Sequence, residues 1–334
     1  MTTTVDTTTA PTAAPTTRGR LRLHGLTATV LRLHRPALLV WCAYLLLMVG
    51  GMLWVHHVSG AQARAAQDTC RGQAGGCIDF DMFAFEEGMS LVGTFVAYAS
   101  YAVAAWAGAS LTGRELESGT ARLAWTQSVT PTRWLTVKLA VPAVALTVGT
   151  TVLMLVYRWI WSANEGLRSD EWYYSDPFVN RGPAVVAYAL CALAVGALAG
   201  LALKRALPAL GTALAFIVCL HLYLDERSDT LWPAKTLTGT AASRLPMSAE
   251  QLDLGAVTGS GARINDLTCF DVDTDAGYAR CMADNGFTDL YAEVHPQSHF
   301  WPLHLMTTGL VLTVTALLVL ASFHLLRRRT GGTS

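Results

Sequence analysis

The sequence predicts an all-α integral membrane bundle of six transmembrane helices. The chain is 52% hydrophobic and 14% charged, and six stretches of about 19 to 25 residues contain no Asp, Glu, Lys or Arg. A helix of that length crosses a bilayer core of roughly 30 Å. Unpaired backbone amides are too costly in lipid, so these stretches must be helical. The predicted spans lie at about 37–55, 88–112, 137–158, 184–203, 206–224 and 303–326.

The charged residues are sorted by side of the membrane, although the formal net charge is zero. With a cytoplasmic N-terminus, the inner segments 1–36, 113–138, 204–205 and 327–334 carry 14 Lys/Arg and three Asp/Glu. The remainder carries 10 Lys/Arg and 21 Asp/Glu. Basic residues near helix ends resist translocation. We therefore expect a multi-pass protein of the plasma membrane with both termini in the cytoplasm.

The segments outside the spans have distinct expected structures. Residues 1–19 are rich in Thr, Ala and Pro and predict a disordered cytoplasmic tail. Residues 20–36 place Leu and Val at helical spacing opposite basic and polar residues, which predicts an amphipathic helix on the inner membrane surface, in contact with lipid. Residues 225–302 form the largest outer loop, between the fifth and sixth spans, and residues 327–334 form a second cytoplasmic tail.

Four of the seven cysteines fall in the predicted outer loops. They are Cys70 and Cys77 in the first outer loop, and Cys269 and Cys281 in the last. An even number of cysteines on the oxidising side suggests disulfides. The local pairs Cys70–Cys77 and Cys269–Cys281 are the simplest of three possible connectivities, and free loop thiols are the alternative.

Small residues recur on one face of the second and fourth spans. Gly93 and Gly108 belong to one such stripe, and Gly196 and Gly200 belong to the other. Stripes of this kind let helix backbones approach closely. The sequence leaves two interpretations open, which are packing within one subunit and a seam between two copies.

The cytoplasmic connection 113–138, GRELESGTARLAWTQSVTPTRWLTVK, is the longest between two spans. It alternates charged residues with apolar ones, among them Leu123 and Trp125, and has a turn signal at Thr130-Pro131. We expect a short amphipathic helix, a turn, and a basic start to the third span, with Trp134 as an interfacial residue. A charged and folded inner loop of this kind is a docking surface for a cytoplasmic partner.

The residues of this loop resemble a pattern in permease subunits of ABC-type exporters of the type-two class. The pattern is Glu115-x-Glu117-x-Gly119-Thr120, followed by Leu123, Pro131-x-Arg133 and Lys138. The rest of the chain matches that class in layout only, with an inner amphipathic helix, six spans and a large last outer loop. The resemblance implies a homodimer or a paired permease whose loop is seated in a cleft of a separate ATP-binding subunit.

The resemblance also implies a role for each loop residue. Glu115 and Glu117 would pair with basic groups on the ATPase, Gly119-Thr120 would form a turn, and Arg133 with Lys138 would hold the return path at the membrane surface. Lys204 and Arg205 match a second, shorter coupling turn, although solvated inner-loop charges are an equally good interpretation for them. The residues assigned to the first coupling loop are Arg114, Glu115, Glu117, Gly119, Thr120, Pro131, Arg133 and Lys138.

Several kinds of chemistry have no motif in this chain. No G-x-x-x-x-G-K-[ST] occurs, so ATP is expected on the partner subunit and no cofactor on this chain. His295, His299 and His304 have spacings that permit a metal face, but interfacial histidines are more often polar anchors, so we expect no metal site. The predicted spans lack a midplane carboxylate, which argues against ion coupling.

These observations predict a transporter subunit rather than an enzyme. We expect the permease of an ATP-driven exporter that moves a hydrophobic or amphipathic compound, such as a drug, antibiotic or peptide, out of the cell. No nucleic-acid partner is expected. The alternative is a membrane-embedded sensor or accessory protein whose outer loop binds a ligand and whose inner loop docks a signalling partner.

Overall fold

The computed structural model describes residues 32, 34–70, 80–126, 129–164, 167, 172–246, 248–269, 272 and 274–330. Within these ranges, six helices are long and apolar enough to cross a membrane, and we call them the first to sixth spans in chain order. They cover Arg35–Cys70, Phe83–Glu117, Pro131–Ala163, Ala184–Leu203, Ala206–Glu226 and Gln297–Thr330. The chain is therefore a mostly helical, multi-pass membrane protein.

The first two spans are interrupted by turns of other geometry. The first consists of helix Arg35–Trp54, a π-helical turn Val55–Ser59 and a polar helix Gly60–Cys70. The second consists of Phe80–Ala97, Ala99–Trp106, a π-helical segment Ala107–Gly113 and the short helix Arg114–Glu117. A π-helical turn replaces the usual i→i+4 hydrogen bonds by i→i+5 bonds and is frequently found at functional sites. The segment Ala107–Gly113 leads directly into the loop 113–138.

The fourth span is the centre of the bundle and is buried over most of its surface. Its glycines face the small residues of the second span. A Cβ on Gly196 would lie 2.7 Å from the backbone nitrogen of Gly108, and a Cβ on Gly200 would lie 2.7 Å from that of Gly113. Gly108 of the second-span stripe therefore packs against Gly196 of the fourth span inside the chain, as the single-subunit interpretation expects, whereas a Cβ on Gly93 would lie 3.3 Å from the Tyr157 hydroxyl of the third span.

The connection between the fifth and sixth spans, predicted to lie outside the cell, contains a four-stranded antiparallel sheet. Its strand order is β1-β4-β2-β3. The strands are β1 (Lys235–Thr238), β2 (Glu250–Thr258), β3 (Arg263–Ile264) and β4 (Phe287–His295). Short helices Ser228–Leu231, Thr240–Ser243, Asp275–Asp284 and Gln297–His299 surround it. The prediction of an all-α protein was wrong for this segment.

The sheet has a hydrophobic core of its own, separate from that of the bundle. Alternate residues of β4, namely Leu290, Ala292 and Val294, are buried in it, as a half-buried strand requires. A disulfide joins Cys269 to Cys281 with a Cα–Cα distance of 5.7 Å, and fixes the loop after β3 to the helix Asp275–Asp284. Small folded units outside the cell commonly use such bonds to supplement a limited core.

Some sequence predictions lie outside the described residues. The tails 1–19 and 331–334 and most of the predicted amphipathic helix 20–36 are among them. Cys77 is also outside, so the predicted Cys70–Cys77 pair stays a prediction.

Candidate functional site

The loop that leaves the second span is a compact helix–turn–helix. Helix Arg114–Glu117 ends at Ser118, and helix Thr120–Thr126 follows. Gly119 between them has φ +76°, in the left-handed region where a side chain is strained. The Thr120 hydroxyl donates to the Glu115 carbonyl at 3.3 Å and closes the turn. Gly119 and Thr120 thus lie together at the reversal of the chain.

The third span begins with an N-cap residue and a proline in its first turn. Thr130 precedes the helix, and its hydroxyl accepts a hydrogen bond from the Arg133 backbone amide at 3.3 Å. Pro131 occupies the first helical turn, where its missing N–H costs nothing. Arg133 is exposed on this first turn.

Lys138 is buried inside the bundle and is only 2% exposed. Its Nζ donates to Glu115 Oε1 at 2.5 Å and to the Leu111 carbonyl at 2.9 Å, and it lies 5.2 Å from the centre of the Trp134 ring. Leu111 belongs to the π-helical segment of the second span. Lys138 and Glu115 therefore join the second span to the third, and Lys138 is not a cation of the membrane surface.

Glu117 connects the loop to the fifth span. Its Oε2 accepts a hydrogen bond from the backbone amide of Ala206 at 2.9 Å, at the N-terminus of that span. Arg205, the preceding residue, provides no side-chain cap of its own. A carboxylate at a helix N-terminus satisfies a free amide and is favoured by the helix dipole. The first predicted coupling loop is thus in direct contact with the second predicted coupling turn.

The turn between the fourth and fifth spans is held from two sides. Lys204 ends the fourth span with φ 55°, and its amide donates to the Gly200 carbonyl at 3.0 Å. Arg329, near the end of the sixth span, donates to the Leu201 carbonyl and to the Ala202 carbonyl at 3.1 Å. These are terminal carbonyls of the fourth span that need donors. The sequence analysis gave Arg329 no such role.

The loop helix Thr120–Thr126 has a buried face and an exposed face. Ala121 is fully buried, and Trp125 packs edge-on against Trp134 with ring centres 5.7 Å apart. Trp134 is 3% exposed, so the expectation of an interfacial Trp134 was wrong. Leu123 points the other way and is 61% exposed. The exposed residues of the loop therefore include an apolar side chain, Leu123, together with Arg114 and Thr120.

A second polar cluster lies in the half of the bundle away from the loop 113–138, and no sequence motif points to it. His221 of the fifth span is 2% exposed and stacks on Tyr188 of the fourth, with ring centres 4.8 Å apart. Tyr98 and Tyr101 lie 5.4 and 5.8 Å from the same ring. The sequence indicates this cluster only by placing polar aromatic residues within three of the apolar stretches.

This cluster lies beside an acidic side chain of the outer helix Ser175–Asn180. The hydroxyl of Thr94 donates to Asp176 Oδ2 at 2.5 Å, and Ser175 Oγ is 3.5 Å from His221 Nε2. Burial raises the pKa of the Asp176 carboxyl. Tyr98 interrupts the second span between its helices Phe80–Ala97 and Ala99–Trp106. The irregular backbone of the second span thus coincides with this cluster.

The outer histidines make hydrogen bonds within the chain. His295 Nδ1 is 2.9 Å from His299 Nδ1, and His295 Nε2 donates to the Asp229 carbonyl at 2.8 Å. His304 Nε2 accepts from the Ala184 amide at 3.1 Å. Among the residues that the structure describes, no group of three or more His, Cys, Asp or Glu side chains is arranged to hold a metal ion.

Comparison with known proteins places this arrangement in a family. The family model described as ABC-2 membrane transporter related matches residues 36–227. That range contains the first five spans, the loop 113–138 and the turn 204–205. No curated protein and no solved structure matches the chain. Because the family match covers more than half of the sequence, the chain belongs to the ABC-2 membrane transporter related family.

Proposed function

We propose that the chain is the permease subunit of an ATP-driven exporter and that it moves a hydrophobic or amphipathic compound out of the cell. ATP is bound and hydrolysed by a separate ABC ATPase, which docks on the loop 113–138 and the turn 204–205. Two permease subunits, identical or similar, form the working unit. Membership of the family supports the assignment of the chain as a transporter subunit. The geometry of the loop supports its assignment as the site at which the ATPase acts on the permease.

The observation that carries this proposal is that the loop is joined on its inner side to three spans. Glu115 contacts Lys138 of the third span, and Glu117 contacts Ala206 of the fifth. Both glutamates lie on a helix that continues the second span. A displacement of this loop therefore acts on three spans at once. Such a rigid connection is what transmission of motion between subunits requires.

The outer side of the loop has the features of a binding surface. Leu123 is exposed although it is apolar, and it lies on a helix outside the predicted membrane region. A helix that presents an apolar side chain on its free face can dock by laying that face into an apolar groove of a partner. We infer that Leu123 enters an apolar cleft of the ATPase, and that Arg114 and Arg133 lie at the rim.

The structure changes the roles proposed for the two glutamates. The carboxylates of Glu115 and Glu117 already make contacts within the chain. We therefore propose that they position the loop, while Leu123 makes the principal contact with the partner.

This proposal is tested by purifying the tagged chain from its native host. Co-purifying proteins with a P-loop are identified by mass spectrometry, and ATP hydrolysis by the eluate is measured. Leu123→Asp is expected to reduce both by at least tenfold and to leave the thermal unfolding midpoint unchanged, because the side chain is exposed. Leu267→Asp, which changes a 46% exposed leucine of the outer segment, is the matched control and should retain both.

A double reversal, Glu115→Lys with Glu117→Lys, separates positioning from docking. It should reduce co-purification of the ATPase and also lower the unfolding midpoint, because both intrachain contacts are lost. If the Leu123→Asp variant co-purified the ATPase at the wild-type level, the loop would not be the docking site. Capture of a kinase in place of an ATPase would favour the sensor alternative.

A further inference from the structure

An apolar groove runs between the first, second and third spans in their cytoplasmic half. Its volume is about 470 Å³, which falls within the range of roughly 300–1,000 Å³ typical of small-molecule sites. Val40, 70% exposed, lies at its rim, so the groove opens toward the lipid. Its walls include Trp41, Tyr44, Ala102, Trp106, Pro142 and Leu146.

The polar atoms of these walls are largely occupied by the protein. The Tyr44 hydroxyl donates to the Phe95 carbonyl at 2.8 Å, and Trp41 Nε1 donates to the Ala145 carbonyl at 3.2 Å. Trp41 and Tyr44 stack on each other with ring centres 5.4 Å apart. The aromatic residues therefore present flat apolar faces to the groove, which suit a long hydrocarbon or ring system.

The cytoplasmic end of the groove has one polar group whose hydrogen bonding is incomplete. His34, the residue before the first span, lines the groove and is 7% exposed. Its ring packs edge-on against Trp106 with centres 5.6 Å apart, and its Nε2 has no partner among the described residues. A buried nitrogen without a hydrogen bond is costly. A ligand with a polar group at this end would remove that cost.

The charges around His34 restrict which polar group a ligand can carry at this end of the groove. Burial and the nearby Lys138 lower the pKa of His34, with Glu115 acting in the opposite direction. The imidazole is then neutral near pH 7 and can either donate or accept a hydrogen bond. Lys138 and Glu115 neutralise each other in their ion pair. The described side chains that line this end of the groove therefore carry no net charge; Arg35 follows His34 in the chain and is exposed, but it does not line the groove.

We propose that the groove is the inner-leaflet binding site of the cargo, and that it takes an uncharged amphipathic compound. The apolar body lies along Trp41, Tyr44 and Trp106, and a hydroxyl or carbonyl at one end bonds to His34. Phospholipids bind less well at this contact because a neutral His34 cannot form an ion pair with their phosphate. This inference rests on the proposed function, since it names the substrate class of the same transporter, but binding is measured independently of ATP hydrolysis.

The test uses the full-length protein in phosphatidylcholine nanodiscs and a diazirine-bearing monoacylglycerol as the probe. Mass spectrometry should locate the label in residues 37–46 and 99–106. Ala102→Trp fills the groove and should reduce labelling at least fivefold. Ala140→Trp is the control, because Ala140 is also exposed but does not line the groove. Equal labelling of the two variants would overturn the proposal.

The role of His34 has a separate test. His34→Phe keeps an aromatic ring against Trp106 and removes the nitrogen, and should reduce labelling by the monoacylglycerol at least threefold. Labelling by a diazirine-bearing hydrocarbon without a polar group should not change. A diazirine-bearing phosphatidylcholine that labels the groove as strongly as the monoacylglycerol would contradict the charge argument, as would cross-links showing residues 1–31 in the groove.

Co-purification of the ATPase is measured on the same preparations. An unlabelled groove with a bound ATPase overturns this inference and leaves the proposed function intact. A groove labelled as expected with no ATPase supports the binding site and overturns the exporter, which would favour a sensor of an apolar ligand.

Discussion

At the scale of single residues, the cytoplasmic site is built on long-range contacts of charged side chains with backbone groups and with each other. Lys138 reaches the Leu111 carbonyl, Glu117 reaches the Ala206 amide, and Arg329 reaches two carbonyls of the fourth span. The Ala206 amide and the Leu201 and Ala202 carbonyls lie at helix ends, where backbone groups lack an intrahelical partner. The charged residues of these connections thus also join the helices.

The ion pair of Lys138 with Glu115 yields a stability prediction. Glu115→Gln leaves the buried ammonium of Lys138 without its counter-charge, and loss of one partner of a buried pair costs about 3–5 kcal/mol. The midpoint of thermal unfolding in detergent should therefore fall clearly. Adding Lys138→Met to Glu115→Gln should recover much of the loss, because no buried charge then remains.

The exposed pair of Arg263 with Glu293 is the control for this prediction. Its atoms are 3.0 Å apart but its side chains are 48% and 37% exposed, so solvent screens the interaction. Glu293→Gln should change the free energy of unfolding by at most about 1 kcal/mol. Equal effects of Glu115→Gln and Glu293→Gln would show that the Lys138 site is hydrated rather than buried.

At the scale of elements, the sequence predicts the helices well and the sheet not at all. A span must be apolar over its whole length, so composition alone indicates where it lies. The strands lie in a segment of mixed composition, and β2 is interrupted by register shifts against β4. The hydrophobic side chains of these strands are buried only when β1 pairs with β4, which lies more than 50 residues away along the chain. Such non-local pairing leaves little trace in one sequence.

The close contact between the second and fourth spans gives a prediction for glycines. Gly200→Val places its side chain against Thr112 and the Gly113 backbone. Overpacking of this kind costs about 1–3 kcal/mol or more. We expect a lower yield of monodisperse protein and a lower unfolding midpoint.

The matched variant Gly211→Val lies in the next span. A Cβ there meets nothing within 4 Å, so this variant should behave like the wild type in both measurements. If Gly200→Val were tolerated as well as Gly211→Val, the two spans would have to be farther apart than this packing allows.

At the scale of the whole molecule, the ends of five spans on the side of the loop 113–138 meet in one layer. Glu115 lies near the end of the second span, Lys138 near the start of the third, and Arg329 near the end of the sixth, all in contact with a neighbouring span. The loop motif singles out Glu115, Glu117 and Lys138, but it does not include Arg329. It could not show that Glu117 contacts the fifth span or that Arg329 contacts the fourth, because those contacts depend on how the helices pack.

This layer makes a prediction about topology. Its contacts place the loop 113–138, the turn 204–205 and the end of the sixth span on one side, and the inner segments carry 14 Lys/Arg against three Asp/Glu. We predict that this side, with both termini, is cytoplasmic. The measurement is labelling by a membrane-impermeant maleimide, in a background without the free cysteines Cys42, Cys191 and Cys219.

Three single-cysteine variants report on the two sides. Ser260→Cys lies in an exposed turn of the outer sheet and should be labelled in intact cells. Ala10→Cys and Thr333→Cys should be labelled only after the cells are permeabilised, since the membrane protects a cytoplasmic tail from the reagent. The reverse pattern would place Arg327, Arg328 and Arg329 outside. In that case the proposed ATPase could not reach the loop, and the exporter proposal would fail with the topology.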